Sequence, residues 1–375
     1  MLLSAYNLAG YLLHKSNRSG FSALSNILSG NGVFLIEHLD AHNPRNTLIK
    51  CTVDNQAFVF KQPKFVTSGG TLPILNEYQF YNSFAGLQVV SERFSFDTQY
   101  HILLLPYLQN LPELNEVVSC SSKLEAYARQ AAHSLALWHQ SLQIDNNPAV
   151  KVFIQSNCFN TVSYYQSFIN LMLRGANHPQ FLDDLVFPAF AYIAPSRTIL
   201  HNFLSKNHLL KSLEELQTQL NENHLIHGDL KIENLLQEKG ESPLKFIDFE
   251  NVSKGDPAWD FACFLESVLY QPAFRRGSTN QKRDESLLKR YFFFAEYLNS
   301  YCLKRCFNEA KHYEFLSKVF KFWALRKLEK LRNYDGNFNY FQTSMEVINR
   351  LMLDTDKYID QIYESGESRF EIFDF

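Results

Sequence analysis

The run His227-Gly228-Asp229-Leu230-Lys231-Ile232-Glu233-Asn234-Leu235-Leu236 decides how this chain is read. It sets an aspartate behind a His-Gly pair and an asparagine five residues later. Nineteen residues after Asp229 comes Lys245-Phe246-Ile247-Asp248-Phe249-Glu250, an apolar run that places a carboxylate at a strand end. A third run, Gly255-Asp256-Pro257-Ala258-Trp259-Asp260-Phe261-Ala262, reads as a turn entering a helix. Asp260 falls near the helix start, where a buried carboxylate can accept backbone N–H bonds. Asp and Asn often serve only as turn and cap residues, and one such run would carry little. Three in this order and spacing specify a site.

The chemistry that needs such a set is phosphoryl transfer. A carboxylate must orient the attacking hydroxyl and accept its proton, and oxygen ligands must hold the Mg²⁺ that bridges the phosphates. The order matches the protein-kinase catalytic loop, an Asp base followed by a metal-binding Asn and, further on, a metal-binding Asp. More closely, the chain resembles the aminoglycoside phosphotransferase and choline kinase family, the small-molecule relatives of protein kinases. In that family the loop is His-Gly-Asp followed by Asn, the later Asp lies in an Ile-Asp-Phe/Trp-Glu run, and a Gly-Asp-Pro run leads to Asp-Leu/Phe-Ala. The resemblance covers most of the chain and is weakest over 150–222 and after 285. It implies that Asp229 is the base, that His227 supports the loop, that Asn234 and Asp248 bind Mg²⁺, and that Asp260 braces the loop. ATP and Mg²⁺ are the implied cofactors.

Outward from this core, the N-terminal part reads as a small sheet. Residues 4–15 are amphipathic, and strand-like runs follow at 33–37, 48–53 and 57–62, the last two joined by Asp54-Asn55-Gln56. Residues 72–84 read as a helix, and 89–108 hold two further strands. After Pro106 the pattern turns helical. Over 123–141, Leu124, Tyr127, Ala128, Ala131, Leu135 and Trp138 share one face. Residues 150–222 and 284–362 are also largely helical, and 223–262 are short strands and turns. The expectation is a bilobal, protein-kinase-like α+β fold. A small antiparallel β-rich N-lobe at 1–108 binds nucleotide, and a large, mainly helical C-lobe at 109–375 carries the catalytic loop, the metal site and the acceptor-binding helices.

In the N-lobe, Phe58-Val59-Phe60-Lys61 resembles the kinase strand whose Lys pairs with the α/β-phosphates. Glu77, sixteen residues on in a helix, is the natural ion-pair partner, with Glu92 a weaker competitor. The phosphate-covering loop departs from the glycine-rich pattern, because Gly30 and Gly32 precede the first strand. Between the first two strands, Arg45, Asn46 and Thr47 can donate to phosphate oxygens, or form an ordinary hairpin turn. Leu104-Leu105-Pro106-Tyr107-Leu108 resembles the hinge between lobes, so the backbone at Pro106, Tyr107 and Leu108 is expected to meet adenine.

The acceptor is harder to read. Lys231 stands where protein kinases carry a γ-phosphate-contacting Lys, which mildly favours a Ser/Thr peptide and a biosynthetic partner protein. The acidic residues of 354–374 mildly favour a cationic small molecule. The lysines and Arg326 of 318–330 read as the exposed side of a helix whose apolar face is Leu316, Phe320 and Trp323, with a peptide or anionic acceptor groove as the alternative.

Composition closes off other classes. With 375 residues, 46% hydrophobic and a formal net charge of −3, the chain builds sizeable cores without a basic field for nucleic acid. The six cysteines form no CxxC pair and read as buried thiols. The apolar segment at 1–13 lacks a basic leader region and a cleavage site, and no run is long enough for a membrane span, so a cytoplasmic protein with no membrane partner is expected. The expected partners are a nucleotide and a hydroxyl-bearing acceptor. The alternatives are a nucleotide-binding pseudokinase and nucleotidyl transfer.

Overall fold

The computed structural model describes residues 3, 4, 7, 8, 10–12, 35–39, 45–53, 56–64, 73–91, 95–110, 121–156, 164–177, 207–237, 243–269, 271, 280–332 and 338–363. In chain order its elements are β1 (Leu35–His38), β2 (Asn46–Val53), β3 (Gln56–Pro63), α1 (Pro73–Phe84), β4 (Ser95–Asp97), β5 (Ile102–Pro106), β6 (Gln109–Asn110), α2 (Ser121–Ser141), α3 (Pro148–Ser156), α4 (Tyr164–Asn177), α5 (Asn207–Thr218), β7 (His224–Ile226), β8 (Leu235–Gln237), β9 (Lys245–Phe246), β10 (Ser253–Gly255), α6 (Pro257–Leu269), α7 (Asn280–Lys304), α8 (Glu309–Arg332), α9 (Phe338–Leu353) and α10 (Thr355–Tyr363). Single 3-10 turns occupy Ile232–Asn234 and Phe249–Asn251. They form two compact units.

The first unit comprises Met1–Asn110, Val152–Phe159 and Leu236–Val252. Its antiparallel sheet runs β1-β2-β3-β5-β4. Alternation places Ile49, Cys51 and Val53 of β2, Phe58 and Phe60 of β3, and Ile102 and Leu104 of β5 in one core, which Leu3, Leu8, Tyr11 and Leu12 join. The register pairs Ile49 with Phe60 and Phe60 with Leu104, so these side chains stack across three strands. Tyr11 Oη donates to Asp97 at 2.7 Å and fixes the N-terminal segment to the sheet. Lys61, out of phase with Phe60, bonds instead to α1. Phe249 packs on Phe80 and Tyr81 of α1 with ring centroids 4.3 and 4.9 Å away. That packing holds the segment around Asp248 against α1. Asp54, Asn55, Glu92, Gly30 and Gly32 lie outside the described residues.

The second unit comprises Leu111–Lys151, Asn160–Leu235 and Ser253–Phe375. The six α2 residues of the sequence-derived apolar face are all buried, and α2 packs on α7. Helix α6 is buried around nearly its whole circumference, Asp260 and Glu266 included, as befits a central helix, and it packs on α8. Strand β7 pairs with β10, Gly255 opposite His224. A Cβ on Gly255 would lie 2.5 Å from Ile226 Cδ1 and 3.1 Å from Tyr165 Cε1, so any larger residue would have to push the Ile226 and Tyr165 side chains aside. Among the described residues no helix is long and apolar enough to cross a membrane.

Two expectations fail. The lysines of α8 are not its exposed side: Lys318, Lys321 and Lys327 are buried. Helix α8 contacts α5, α6, α9 and α10, so its polar positions also enter the interior. There they meet carboxylates, Lys318 with Asp256 at 3.0 Å, Lys321 with Glu215 at 3.3 Å and Lys327 with Glu266 at 3.6 Å. Not every thiol is buried either. Cys51, Cys263 and Cys302 are, but Cys306 is exposed at a positive-φ position after α7.

Candidate active site

In the second unit, the catalytic-loop sequence leaves β7 and turns at Gly228, whose φ of 83° suits glycine. Asp260, in the first turn of α6, clamps this turn. Its carboxylate accepts the His227 N–H at 2.7 Å and the Gly228 N–H at 2.9 Å. Trp259 Nε1 donates to the Gly228 carbonyl at 2.9 Å, so consecutive residues of α6 hold the peptides on both sides of Gly228. Helix α6 is itself capped by Asp256, which accepts the Ala258 N–H at 2.9 Å. Burial pushes the Asp260 carboxyl up to about 6, against the backbone donors that favour its charge.

Behind Asp260 stands His139 of α2, its Nε2 3.2 Å from Asp260 Oδ2 and its Nδ1 2.7 Å from Tyr301 Oη. Both rings are fully buried. Neither was marked by the sequence, since each lies in a helix with no polar motif around it.

Past the turn, Asn234 donates its side-chain N–H to the Asp229 carbonyl at 3.0 Å. This contact fixes the amide with Oδ1 as its acceptor end. Ile232 N–H donates to Ser267 Oγ at 2.9 Å and anchors the 3-10 turn to α6. Asp229 meets two cations. Arg326 of α8 donates Nη2 to Oδ1, and Lys231 Nζ lies 3.4 Å from Oδ2. Burial works against the Asp229 charge, but Arg326 and Lys231 outweigh it and hold the carboxyl below its ordinary value. Arg326 also pairs with Glu329. The sequence pattern puts Arg326 on an exposed helix side, and no local signal ties it to a residue 97 positions earlier.

In the first unit, Lys61 gathers three carboxylates. Glu77 Oε2 lies 2.7 Å from Nζ, Asp248 Oδ1 is in direct contact, and Glu250 Oε2 is 3.6 Å away. Burial disfavours the Lys61 charge, yet the three acids hold its pKa above the ordinary lysine value. Burial also pushes the Glu77 carboxyl up, despite Lys61 beside it. Three acids against one ammonium leave negative charge in excess. Asp248 carries φ 68° and ψ 55°, a left-handed conformation that Asp tolerates better than most residues. Asn46 Nδ2 donates to Glu250 Oε2 at 3.4 Å, and Arg45 lies 3.7 Å from Glu250 Oε1. Asn76 of α1 donates to the Glu250 carbonyl at 2.9 Å. The Tyr107 N–H is committed to the Ala57 carbonyl at 2.8 Å. Pro106 ends β5, and Leu108 is buried.

A choline/ethanolamine kinase family model matches residues 117–351. The chain belongs to the choline/ethanolamine kinase family. It is accordingly a small-molecule phosphotransferase that acts on hydroxyl groups. Among solved structures it is similar to an ethanolamine kinase from Plasmodium vivax, at 15% identity and a TM-score of 0.54 over 93% of this chain and 89% of that one. It is also similar to a choline kinase from Cryptosporidium parvum, at 14% identity and a TM-score of 0.52 over 96% and 97%. A glucosamine kinase matches at 12% identity and a TM-score of 0.53 over 93% and 85%. These likenesses establish the protein-kinase-like fold. A search of curated proteins returned no match.

The family's kinases use Mg·ATP, and the donor sets suit both parts of it. In the first unit the carboxylates around Lys61 offer hard oxygen ligands in negative excess, the environment a divalent cation needs, and in the second unit Asn234 Oδ1 is an amide oxygen of the same kind. Lys61 itself is a buried, permanently charged donor of the type that pairs with phosphate oxygens.

Proposed function

We propose that the chain transfers the γ-phosphoryl group of Mg·ATP to a hydroxyl of a small molecule, with Asp229 as the base. The observation that carries this reading is the catalytic loop. Asp260 and Trp259 fix its turn, and Asn234 is tied to the backbone of Asp229, so two functional side chains project from one rigid loop. Phosphoryl transfer asks the protein chiefly for such positioning and for charge.

In this reading Asp229 accepts the acceptor's proton as its oxygen attacks the γ-phosphorus, and the β–γ bridging oxygen leaves with ADP. Lys61, oriented by Glu77, pairs with the α/β-phosphates, and Lys231 contacts the γ-phosphate. Arg45 and Asn46, next to Glu250, donate to phosphate oxygens. The backbone at Pro106, Tyr107 and Leu108 meets adenine, less the Tyr107 N–H already used within the sheet. His227 supports the loop. Asn234 and Asp248 hold Mg²⁺, which supplies charge neutralisation across the phosphates when bound. The solved structures named above are small-molecule kinases, and nothing in them favours a peptide acceptor or a biosynthetic partner protein.

The test is nucleotide binding and ADP release for wild type, Asp229→Asn and Asp248→Asn over a panel of small hydroxyl compounds. Asp229→Asn should bind Mg·ATP normally and lose at least about a hundredfold in turnover, the scale of general base catalysis. Asp248→Asn should lose the Mg²⁺ dependence of ATP binding. Undiminished turnover by Asp229→Asn would remove the base assignment. A nucleotide that binds without any transfer would point to the pseudokinase alternative.

A further inference from the structure

At the start of β7, wholly within the second unit, residues of β7, α6 and α8 and the end of α7 line a cavity of about 290 Å³. Its described lining residues include none of 227–234, the catalytic loop. We infer that this cavity is a second ligand site, which binds the phosphate group of a small phosphate monoester through Arg305 and Lys311.

The charge balance favours a dianion. Arg305, Lys311 and Lys318 line the cavity with two acids, Asp256 and Glu314. Asp256 is committed to the fold. Its Oδ1 caps α6, and its Oδ2 accepts the Asn221 N–H at 2.8 Å and Lys318 Nζ at 3.0 Å. Glu314 also reaches Lys318, at 3.4 Å. Both acids are therefore answered by one lysine. Arg305 and Lys311 have no carboxylate within ion-pair distance among the described residues. Two cations left over match the two charges of a phosphate monoester, and a guanidinium fork suits its oxygens.

Buried donors point the same way. Arg305 Nη2 donates to His224 Nε2 at 3.1 Å, which places the imidazole proton on Nδ1. His224 Nδ1 and Arg305 Nη1 are both buried without a hydrogen-bond partner among the described residues. Buried donors are almost always satisfied, so two orphans on adjoining residues of one cavity call for an acceptor. The Phe307 ring lies 5.9 Å from the Arg305 guanidinium and holds it in place before any ligand arrives. The first turns of α6 and α8 also border the cavity, and their N–H dipoles favour negative charge.

The volume argues for an ester over a bare oxyanion, because it lies at the lower end of small-molecule sites. Phe307 and Phe315, with ring centroids 5.4 Å apart, offer the organic part an apolar wall.

The experiment is titration calorimetry on the full chain, first with Mg·AMP-PNP and then, at saturation, with phenyl phosphate, methyl phosphate, inorganic phosphate and phenol at constant ionic strength. Neither ester carries a hydroxyl that could serve as an acceptor, and the nucleotide fills the catalytic phosphate subsites. Both esters should bind the saturated protein at one site, phenyl phosphate at least about fivefold more tightly than inorganic phosphate, and phenol should not bind. Arg305→Met and Lys311→Met should each weaken the esters at least about tenfold and leave Mg·AMP-PNP binding unchanged. Lys311 is exposed, so its variant remains a test if Arg305→Met fails a thermal melt. If Mg·AMP-PNP itself does not bind, the proposed kinase function fails separately, and the same ester titrations on the free protein decide the cavity. No ester binding, ester binding that Mg·AMP-PNP abolishes, inorganic phosphate as tight as phenyl phosphate, or undiminished ester binding in folded Lys311→Met each overturns the inference.

Discussion

Arg326 Nη2 donates to Asp229 Oδ1 across 97 positions of sequence, and Glu329 holds the other end of the same guanidinium. Helix α8 therefore sets the charge of a loop residue it does not adjoin in the chain. Burial raises the Asp229 carboxyl, but Arg326 and Lys231 more than reverse this, so its folded value lies below its unfolded one. The pair contributes stability above about pH 4, lost as pH falls further, and the carboxylate stays ionised through neutral pH. Arg326→Met removes the cation and lets the carboxyl rise. The acid limb of kcat/KM, measured by ADP release with the best acceptor found, should move up by about one pH unit or more. An unmoved limb would show that Arg326 does not tune Asp229.

Asp260 satisfies two backbone donors at once, from His227 and Gly228. Asp260→Ala leaves both buried, at about 1–3 kcal/mol for each orphaned donor. Asp260→Asn keeps one oxygen and sheds a carboxyl that burial holds at about 6, so it should cost clearly less. Urea unfolding orders the two. Equal losses would mean that the clamp contributes packing and not hydrogen bonding.

Much of this organisation was legible in the sequence. The resemblance of Phe58–Lys61 to the kinase strand, with Glu77 in the helix after it, implied an ion pair, which the structure forms at 2.7 Å. The reason is local: a β-strand end and the first turns of the next helix are close in both chain and space. The start of α6 likewise carried Asp260 in its own signature. What the sequence hid was long-range. Glu250 joins Lys61 because Phe249 is packed under α1, and His139 reaches Asp260 from α2. The α8 lysines misled because charge periodicity reports solvent exposure only for a helix with a free side, and α8 has neighbours around it. Buried carboxylates such as Asp256 and Glu266 made that burial possible.

Lys61 meets three acids, of which the exposed Arg45 reaches Glu250 alone, and its loss is correspondingly costly. Lys61→Met should destabilise the fold by about 3–5 kcal/mol, the penalty for stranding a buried partner charge. Adding Glu77→Gln should recover part of it, because the double variant no longer buries that carboxylate. The check is a double-mutant cycle by chemical denaturation, with a coupling above about 1 kcal/mol expected. Additive losses would show that Lys61 and Glu77 do not depend on each other.

His224 makes the second unit acid-sensitive. It is buried, and its Nε2 lies 3.1 Å from Arg305 Nη2, so the ring must accept there and stay neutral. Burial, with His139, Arg305 and Lys318 adding to it, pushes its pKa down to about 3. The unfolded chain takes up a proton on His224 below about pH 6.5, and the folded chain does not. Stability is therefore complete above about pH 6.5 and declines as pH falls toward 3. By pH 5 the gap of about 1.5 units corresponds to about 2 kcal/mol. Asp260 acts in the opposite sense between its folded value of about 6 and the ordinary carboxylate range, because the folded state then holds the extra proton. The His224 contribution is isolated by difference. Between pH 7 and pH 5, wild type should lose about 2 kcal/mol more unfolding free energy than His224→Gln, whose amide does not titrate. Parallel pH profiles for the two proteins would mean that His224 is protonated in the folded state and that Arg305 moves aside to allow it.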